Sequence, residues 1–472
     1  MRRLTEEQVE RLASSLACRL SPALRAAPAA GGPGIFPDVD AAVTAAQLAY
    51  RRLSGESLAL RERIIAALRE RLLPEAEPLA RLAREETGLG RIEDKLLKNR
   101  LVIRKTPGTE ALRPDALTGD RGLMLGERAP FGVIGAITPV TNPTSTIIGN
   151  AIGMLAAGNS VVFNAHPHAS RVGHRTVERI NEAIMAAGGP VNLVTAVAEP
   201  TIETAQAVMR HPGVRLLVVT GGAGVVRAAM ASGKRAICAG PGNPPVVVDE
   251  TADLDAAARD IVRGASFDNN LVCVCEKEVF VVAAVADALL AAMQRHGACV
   301  LPTARLGELE RTILAEVRGP RQPAVVRPEL IGQDAAVILE RLGMRADADT
   351  RLAVIEVAPE HPLVWTEQMM PVLPVVRVAN ADQAIDLAVA AERGFGHTAV
   401  MHSRHLDHLS RMAREVNCSI FVKNGPCYAG LGEGGEGYSS FTIASPTGEG
   451  LTGPRSFSRE RRCVMVDHFR IV

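Results

Sequence analysis

Two cysteines, Cys273 and Cys275, stand one residue apart in FDNNLVCVCEKEVFVV (residues 267–282), between a polar Asp-Asn-Asn run and an apolar run with the character of a strand. Such a pair can serve as two small core residues, as half of a metal site, or as a nucleophile with a neighbour. Two other stretches offer groups that bear on chemistry. In PFGVIGAITPVTNPTSTIIGN (residues 130–150) a strand ends on Thr138 and Pro139, and Asn142 stands just before Pro143 and a helix. Its amide offers two N–H donors at the carboxyl end of a strand, where open α/β sheets bind ligands, so it could hold an oxyanion; the plainer reading is a turn-forming Asn. In TGGAGVVRAAM, Thr220, Gly221 and Gly222 lie where a strand gives way to a helix starting near Gly224. Backbone N–H groups there can approach a phosphate because no Cβ obstructs them, although the segment is not GxGxxG and a tight turn would account for it.

The elements that must position these groups read as α/β. From Gly132 onward short Val/Ile runs alternate with Ala-rich helical segments (GVIGAIT, TSTIIGNAIGMLAAG, NSVVFN, HRTVERINEAIMAAG, NLVTAV, VRLLVVT), which predicts a parallel sheet covered by helices. A second alternation begins near PVVVD (residues 245–249) and includes EVFVVAA, AVIEVAP and PVVRVAN, so a second α/β unit is expected. Residues 38–100 read as helical, and no chemistry announces itself there. The ending RRCVMVDHFRIV alternates as a strand does, and with no obvious local partner it is expected to pair with another subunit.

Composition sets the bounds. A chain of 472 residues calls for two or three structural units. With 53 basic and 52 acidic residues the formal charge is +1, which leaves no basic field for nucleic acid. The most apolar region, residues 279–293, is interrupted by Asp287 and is too short for a membrane span. Eight scattered cysteines and an N-terminus without the marks of a signal peptide point to free thiols in a reducing cytosol. Residues 4–20 form an amphipathic helical pattern, and SPALRAAPAAGGPGIFP (residues 21–37) reads as a tether, so the first helix is free to dock elsewhere.

The segments PFGVIGAITPVTNP, AAGNSVVFNAHPHA, VTGGAGVV, AGPGNPPVVVDETADLDAA, FDNNLVC, TEQMMPVLPVV and GHTAVMHS occur in the order and spacing of the aldehyde dehydrogenase superfamily. More narrowly, FDNNLxCxxEKE, KNGPCYAGLGEGGEGYSSFTIASPTGEG and RRCVMVDHFRIV resemble the CoA-acylating propionaldehyde and acetaldehyde dehydrogenases of bacterial microcompartments. The likeness covers nearly all of residues 35–472. It implies an α/β fold of aldehyde dehydrogenase type, with two Rossmann-like parallel-sheet domains plus an oligomerisation strand or hairpin. It divides the chain into a targeting helix (1–20), a linker (21–35), an NAD-binding domain (36–112 and 132–243), an oligomerisation hairpin (113–131), a catalytic domain (244–440) and a C-terminal oligomerisation segment (441–472).

The same resemblance implies roles. Cys273, after the Asn-Leu-x segment, takes the nucleophile's place, and Cys275 sits where relatives need no thiol. A thiolate adds to an aldehyde, the oxyanion is held by the Asn142 side chain and the Cys273 backbone N–H, and a hydride leaves to nicotinamide. Glu367 holds the nicotinamide ribose, Thr138 and Pro139 flank the nicotinamide, and Thr220, Gly221 and Gly222 meet the pyrophosphate. Hydrolytic relatives carry a Glu base ahead of the Asp-containing strand, whereas the matching segment here is Cys238-Ala239-Gly240-Pro241-Gly242. Water needs such a base, but a thiol supplies some thiolate unaided, so coenzyme A is the expected second nucleophile. Glu276 and Glu278 could in principle substitute for that base, but on a strand they flank Lys277 and read as solvated charges. Hydrolytic members also bind the adenosine ribose with Lys and Glu where this chain has Asn164, Ala165, His166 and Pro167, which leaves His166 as a candidate contact and NAD favoured by the subgroup alone. His397 reads as structural, against a role near the thioester. A Cys-x-Cys pair brings only two ligands and no second pair follows, so no metal is expected. Propanal is the expected aldehyde and acetaldehyde the runner-up; a hydrolytic enzyme and an idle compartment scaffold are the competing readings. A homo-dimer or tetramer is expected, and a shell protein is the expected partner of residues 1–20, with the microcompartment lumen as location. Deleting residues 1–20 should then leave aldehyde turnover intact and abolish co-purification with shells; loss of turnover would instead make the helix part of the fold.

Overall fold

The computed structural model describes residues 32–347 and 349–471. The expected targeting helix and most of the expected tether lie outside them. Ile35, assigned to the tether, is already in the first strand, β1 (Ile35–Phe36), which pairs in parallel with a strand 160 residues later in the chain. Four helices follow: α1 (Val39–Ser54), α2 (Leu58–Leu72), α3 (Ala76–Thr87) and α4 (Ile92–Lys105). The side chains of Asp38 and Ser57 cap α1 and α2 by accepting from Ala41 and Leu60 backbone N–H groups, which satisfies donors that a helix start leaves free.

An antiparallel hairpin, β2 (Asp115–Gly119) and β3 (Gly122–Pro130), separates these helices from the first sheet. That sheet also contains β4 (Val133–Ile137), β5 (Ser160–Asn164), β6 (Val194–Val197), β7 (Val214–Thr220) and β8 (Ala236–Ala239). All its pairings are parallel, in the order β1-β6-β5-β4-β7-β8. Every residue of β4, β5 and β6 is buried, as expected of apolar runs covered by helices on both faces. From β4 the chain steps outward through β5 and β6, then returns to β7 on the other side of β4. The two connections leave in opposite directions and open a crevice beyond the carboxyl ends of β4 and β7.

The second sheet is a seven-stranded parallel one built from β9 (Pro245–Val248), β10 (Glu278–Val282), β11 (Ala298–Leu301), β12 (Leu352–Glu356), β13 (Val372–Val378), β14 (Thr398–His402) and β15 (Ile420–Lys423). Its order is β11-β12-β13-β10-β9-β14-β15. The α/β alternation legible in the sequence is thus realised twice, in two parallel sheets. Among the described residues no helix is long and apolar enough to cross a membrane.

The last strand, β16 (Ser458–Val466), departs from its expected pairing. It runs antiparallel to β3 of its own chain, from Ser458 opposite Pro130 to Val466 opposite Gly122, and completes a three-stranded sheet β2-β3-β16. The partner lies more than 300 residues away in sequence, so no local pattern could announce it. Leu117, Val464 and Val466 remain exposed on this sheet. Gly122 occupies φ +110°, and a Cβ there would overlap the Met465 carbonyl oxygen. Gly122→Ala should therefore unzip the start of β3 from the end of β16: hydrogen exchange read by mass spectrometry should lose protection in residues 458–466 and keep it in β4 and β9. Unchanged exchange in β16 would refute this account of the pairing.

Candidate active site

The turn that delivers Cys273 is made from residues in an unusual backbone state. Asp268, Asn269 and Asn270 all have left-handed φ values, +47°, +56° and +64°. Asp and Asn tolerate this region better than other side chains, yet three in succession persist only where the surroundings hold them. Each is held. The Asp268 carboxylate accepts from the Arg91 backbone N–H at 2.7 Å, from Lys95 Nζ at 3.0 Å and from Lys98 Nζ. Asn269 donates to the Gly332 carbonyl at 2.9 Å and to Asp334 at 3.0 Å. Asn270 donates to the Ala265 and Glu276 carbonyls at 2.7 and 2.9 Å, and its own carbonyl accepts from Lys277 Nζ at 2.9 Å. The polar run before the cysteines is a fully bonded clamp.

The clamp sets Leu271 and Cys273 at the wall of a cavity of about 770 Å³. The same cavity is lined by Thr138, Pro139 and Asn142 after β4, by His166 after β5, by Thr220, Gly221 and Gly222 after β7, and by Glu367. Every residue singled out for catalysis or cofactor binding thus faces one space, the crevice at the switch point of the first sheet, closed on its far side by the second unit. Cys275 does not share it. Its side chain is fully buried, with Sγ donating to the Phe267 carbonyl at 3.5 Å. His397 also stays outside. It is wholly buried, its Nδ1 meets Thr398 Oγ1 at 2.9 Å, and Gly242 separates its ring from the Cys273 carbonyl, since a Cβ on Gly242 would lie 3.0 Å from each. Burial and the nearby Lys277 charge hold the His397 ring neutral, with its pKa down at about 4.

Asn142 stands directly before helix α5 (Pro143–Ala156), and Pro143 fixes the first helical turn. Its Oδ1 accepts from Lys98 Nζ at 2.7 Å. Lys98 can only donate, so the amide oxygen must face it and the two Nδ2 donors must point the other way. One reaches Thr141 Oγ1 at 3.1 Å, and Asn142 is left with donor capacity toward the cavity it lines.

Electrostatics keep the thiol protonated. Desolvation, and then the Glu367 carboxylate, push Cys273 up to about 12, opposed by Lys277. Burial raises Glu367 as well, against the Lys277 charge and the Gly242 amide. Glu276 and Glu278 are fully buried, which corrects their reading as solvated charges, and Lys277 between them is buried as well. Glu276 accepts from the Cys427 backbone N–H at 2.8 Å and is raised by desolvation to about 7, while Glu278 accepts from Asn243 at 3.2 Å. Neither lines the cavity. The segment from residue 38 to residue 100 also acquires a part that its sequence did not announce, because Lys95 and Lys98 of α4 are both 2% exposed and aim into the clamp. Their signal was two lysines three apart in IEDKLLKNRLVI, on the side of the helix that also carries Leu101 and Val102.

The remaining surface of the cavity fits a dinucleotide. Gly222 precedes helix α6 (Ala223–Met230), and beyond Gly222 and Gly224 there is open space where a side chain would otherwise stand, so backbone N–H groups are accessible to a phosphate. Thr138 Oγ1 is buried without a partner on the same wall. Thr220, by contrast, spends its hydroxyl on Thr442 Oγ1 at 2.9 Å, leaving its backbone as the group facing the cleft. His166 accepts from the His168 backbone N–H at 3.1 Å and is lowered by desolvation first and His168 second.

Comparison with known proteins agrees with this geometry. The model of the aldehyde dehydrogenase family matches residues 34–301 and 345–450. The chain is 49% identical over 470 residues to the acetaldehyde dehydrogenase (acetylating) EutE of Escherichia coli, covering 99% of this chain and all of the relative. It is 48% identical over 441 residues to the propanal dehydrogenase (CoA-propanoylating) of Salmonella typhimurium, covering 93% and 94%. A crystal structure of Rhodopseudomonas palustris propionaldehyde dehydrogenase with bound propionyl-CoA superposes with a TM-score of 0.89 at 51% identity, covering 93% of this chain and 96% of that one. With a matching family model over most of its length and relatives near half identity from end to end, the chain belongs to the aldehyde dehydrogenase family.

Proposed function

We propose that the chain oxidises a short-chain aldehyde to its acyl-CoA with NAD as hydride acceptor, propanal being the leading substrate. The observation that carries this reading is the cleft itself: Cys273 and Asn142 face it, and among the described residues Glu367 is the only acidic one that lines it. Gly240 and Pro241 form the wall where hydrolytic relatives place their Glu, and Cys238 is buried behind it. With Glu367 committed to the ribose, no carboxylate remains to activate water, so the acyl group passes to a thiol.

Cys273 releases its proton to solvent water at the mouth of the cleft, and its sulfur adds to the aldehyde carbon, forming a C–S bond while the carbonyl electron pair moves to oxygen. Asn142 Nδ2 and the Cys273 backbone N–H donate to that oxyanion. Glu367 would hold the nicotinamide ribose, the Gly221–Gly222 turn the pyrophosphate, Thr138 and Pro139 the nicotinamide and His166 the adenosine; NAD, when bound, would supply the acceptor for the hydride of this carbon. The oxyanion then collapses to a thioester on Cys273. The thiolate of coenzyme A attacks the thioester carbon, the C–S bond to Cys273 breaks, and the sulfur of Cys273 leaves as thiolate. The apolar lining by Leu271, Met369 and Phe441 limits competition from water at the thioester.

The similarity to the propanoylating enzyme and to the structure bound to propionyl-CoA supports propanal. Acetaldehyde is the second reading, favoured by the equally strong likeness to EutE. Residues 1–20 are proposed to bind a microcompartment shell, and the exposed apolar side chains of the β2-β3-β16 sheet to join subunits into a dimer or tetramer.

NADH absorbance with propanal and NAD should rise steadily only when CoA is present; full steady turnover without CoA would overturn the acylating assignment. Competition between acetaldehyde, propanal and butanal should give the highest kcat/KM for propanal. Cys273→Ala should abolish acyl-CoA formation, and Cys275→Ala should retain most of it; equal losses would remove the distinction between the two thiols. Burial raises the pKa of Cys273 above that of an ordinary thiol. Its alkylation by iodoacetamide, followed peptide by peptide with the exposed Cys463 as reference, should therefore accelerate about tenfold for each pH step between 7 and 9. A rate already at its plateau at pH 7 would contradict the raised value.

A further inference from the structure

Lys98 is buried to 2%, yet its ammonium group makes contacts in two directions: to the Asp268 carboxylate and, at 2.7 Å, to Asn142 Oδ1. Two buried ammonium groups, those of Lys95 and Lys98, donate to the single Asp268 carboxylate, while Asp94 accepts from the Asp268 backbone N–H and lies within ion-pair distance of Arg91 and Arg351. Lys98 thereby brings positive charge to the back of the Asn142 amide. An amide whose oxygen accepts from a cation is polarised, so its N–H groups donate more strongly, and the fixed cation itself favours negative charge on the far side.

We propose that Lys98, held in place by Asp268, is a positioning residue for acylation of Cys273: it locks the Asn142 amide with its donors toward the cleft and places positive charge behind the developing oxyanion. This rests on the reading of Asn142 as the oxyanion donor. It also ties the oxyanion site to the clamp that delivers Cys273, because one carboxylate, Asp268, anchors both.

A double-mutant cycle tests it on the full-length protein, with NADH formation from propanal measured in single turnover and in steady state, and with melting temperature recorded for each variant. Asn142→Ala should slow single-turnover acylation by about 100- to 1,000-fold. Lys98→Met should slow it by roughly tenfold or more, with the KM for propanal changed less than about twofold, since the interaction strengthens only as charge develops. In the Asn142→Ala background Lys98→Met should cost less than about threefold, because no amide is left to position and only the longer-range pull of the cation on the oxyanion remains. Where Lys98→Met does not fold, Lys98→Gln replaces it; it retains a donor without the charge and should follow the same non-additive pattern with a smaller loss. Full additivity in the cycle, or a loss confined to KM, would overturn the role of Lys98. No effect of Asn142→Ala would instead overturn the oxyanion reading on which that role stands.

Discussion

The arrangement at the centre of this molecule depends on a buried ionic clamp, in which Lys95 and Lys98 from an early helix close on Asp268 in the turn before Cys273. Two lysines and an aspartate out of water are costly to bury, and each is retained only because it is paired and hydrogen-bonded. The contact joins residues 170 and more positions apart and holds three consecutive left-handed residues that would otherwise relax toward ordinary turn geometry. Gly90 belongs to the same design, since a Cβ there would overlap the Asp268 carboxylate. The position of Cys273 is thus fixed from outside its own segment.

The first sheet supplies the other half of the site by a different rule. Parallel strands direct their carboxyl ends to one edge, and the reversal of strand order between β4 and β7 leaves that edge open. Loops that are distant in sequence, TPVTNP and TGGAG, therefore meet there without any contact designed between them. The second sheet brings Cys273 and Glu367 across the opening. Each half is incomplete alone: the first carries glycines and an amide with nothing to attack, and the second carries a thiol with nothing to stabilise its product.

The electrostatic setting of Cys273 follows from this closure. Desolvation holds the thiol neutral, and the buried Lys277 is the counterweight. Lys277 itself is buried, its ammonium group bonded to the carbonyl and side chain of Asn270 and, among the described residues, to no carboxylate. It therefore fixes the clamp and biases the thiol at once.

Much of this was legible in the sequence. The α/β alternation, the strand-ending motifs and the order of the family segments follow from period-two and helical apolar spacing and from residues such as Pro143, Gly221 and Gly222, whose backbone requirements are local. Cys273 could be separated from Cys275 by the motif alone. Three things could not be read. The charges of Glu276 and Glu278 look solvated in a string and are buried in the fold, because burial depends on what packs against a segment from elsewhere. The last strand had no visible partner, since β3 lies more than 300 residues upstream. Lys98 lay in a stretch that seemed to be plain helix; only the tertiary structure, by bringing α4 against both Asn142 and Asp268, gave that lysine a place in the site. Sequence determined which groups the chain possesses and which elements carry them, because those depend on neighbours along the backbone. Tertiary structure decided which charges are buried together, because that depends on long-range contacts whose strength arises only when water has been excluded.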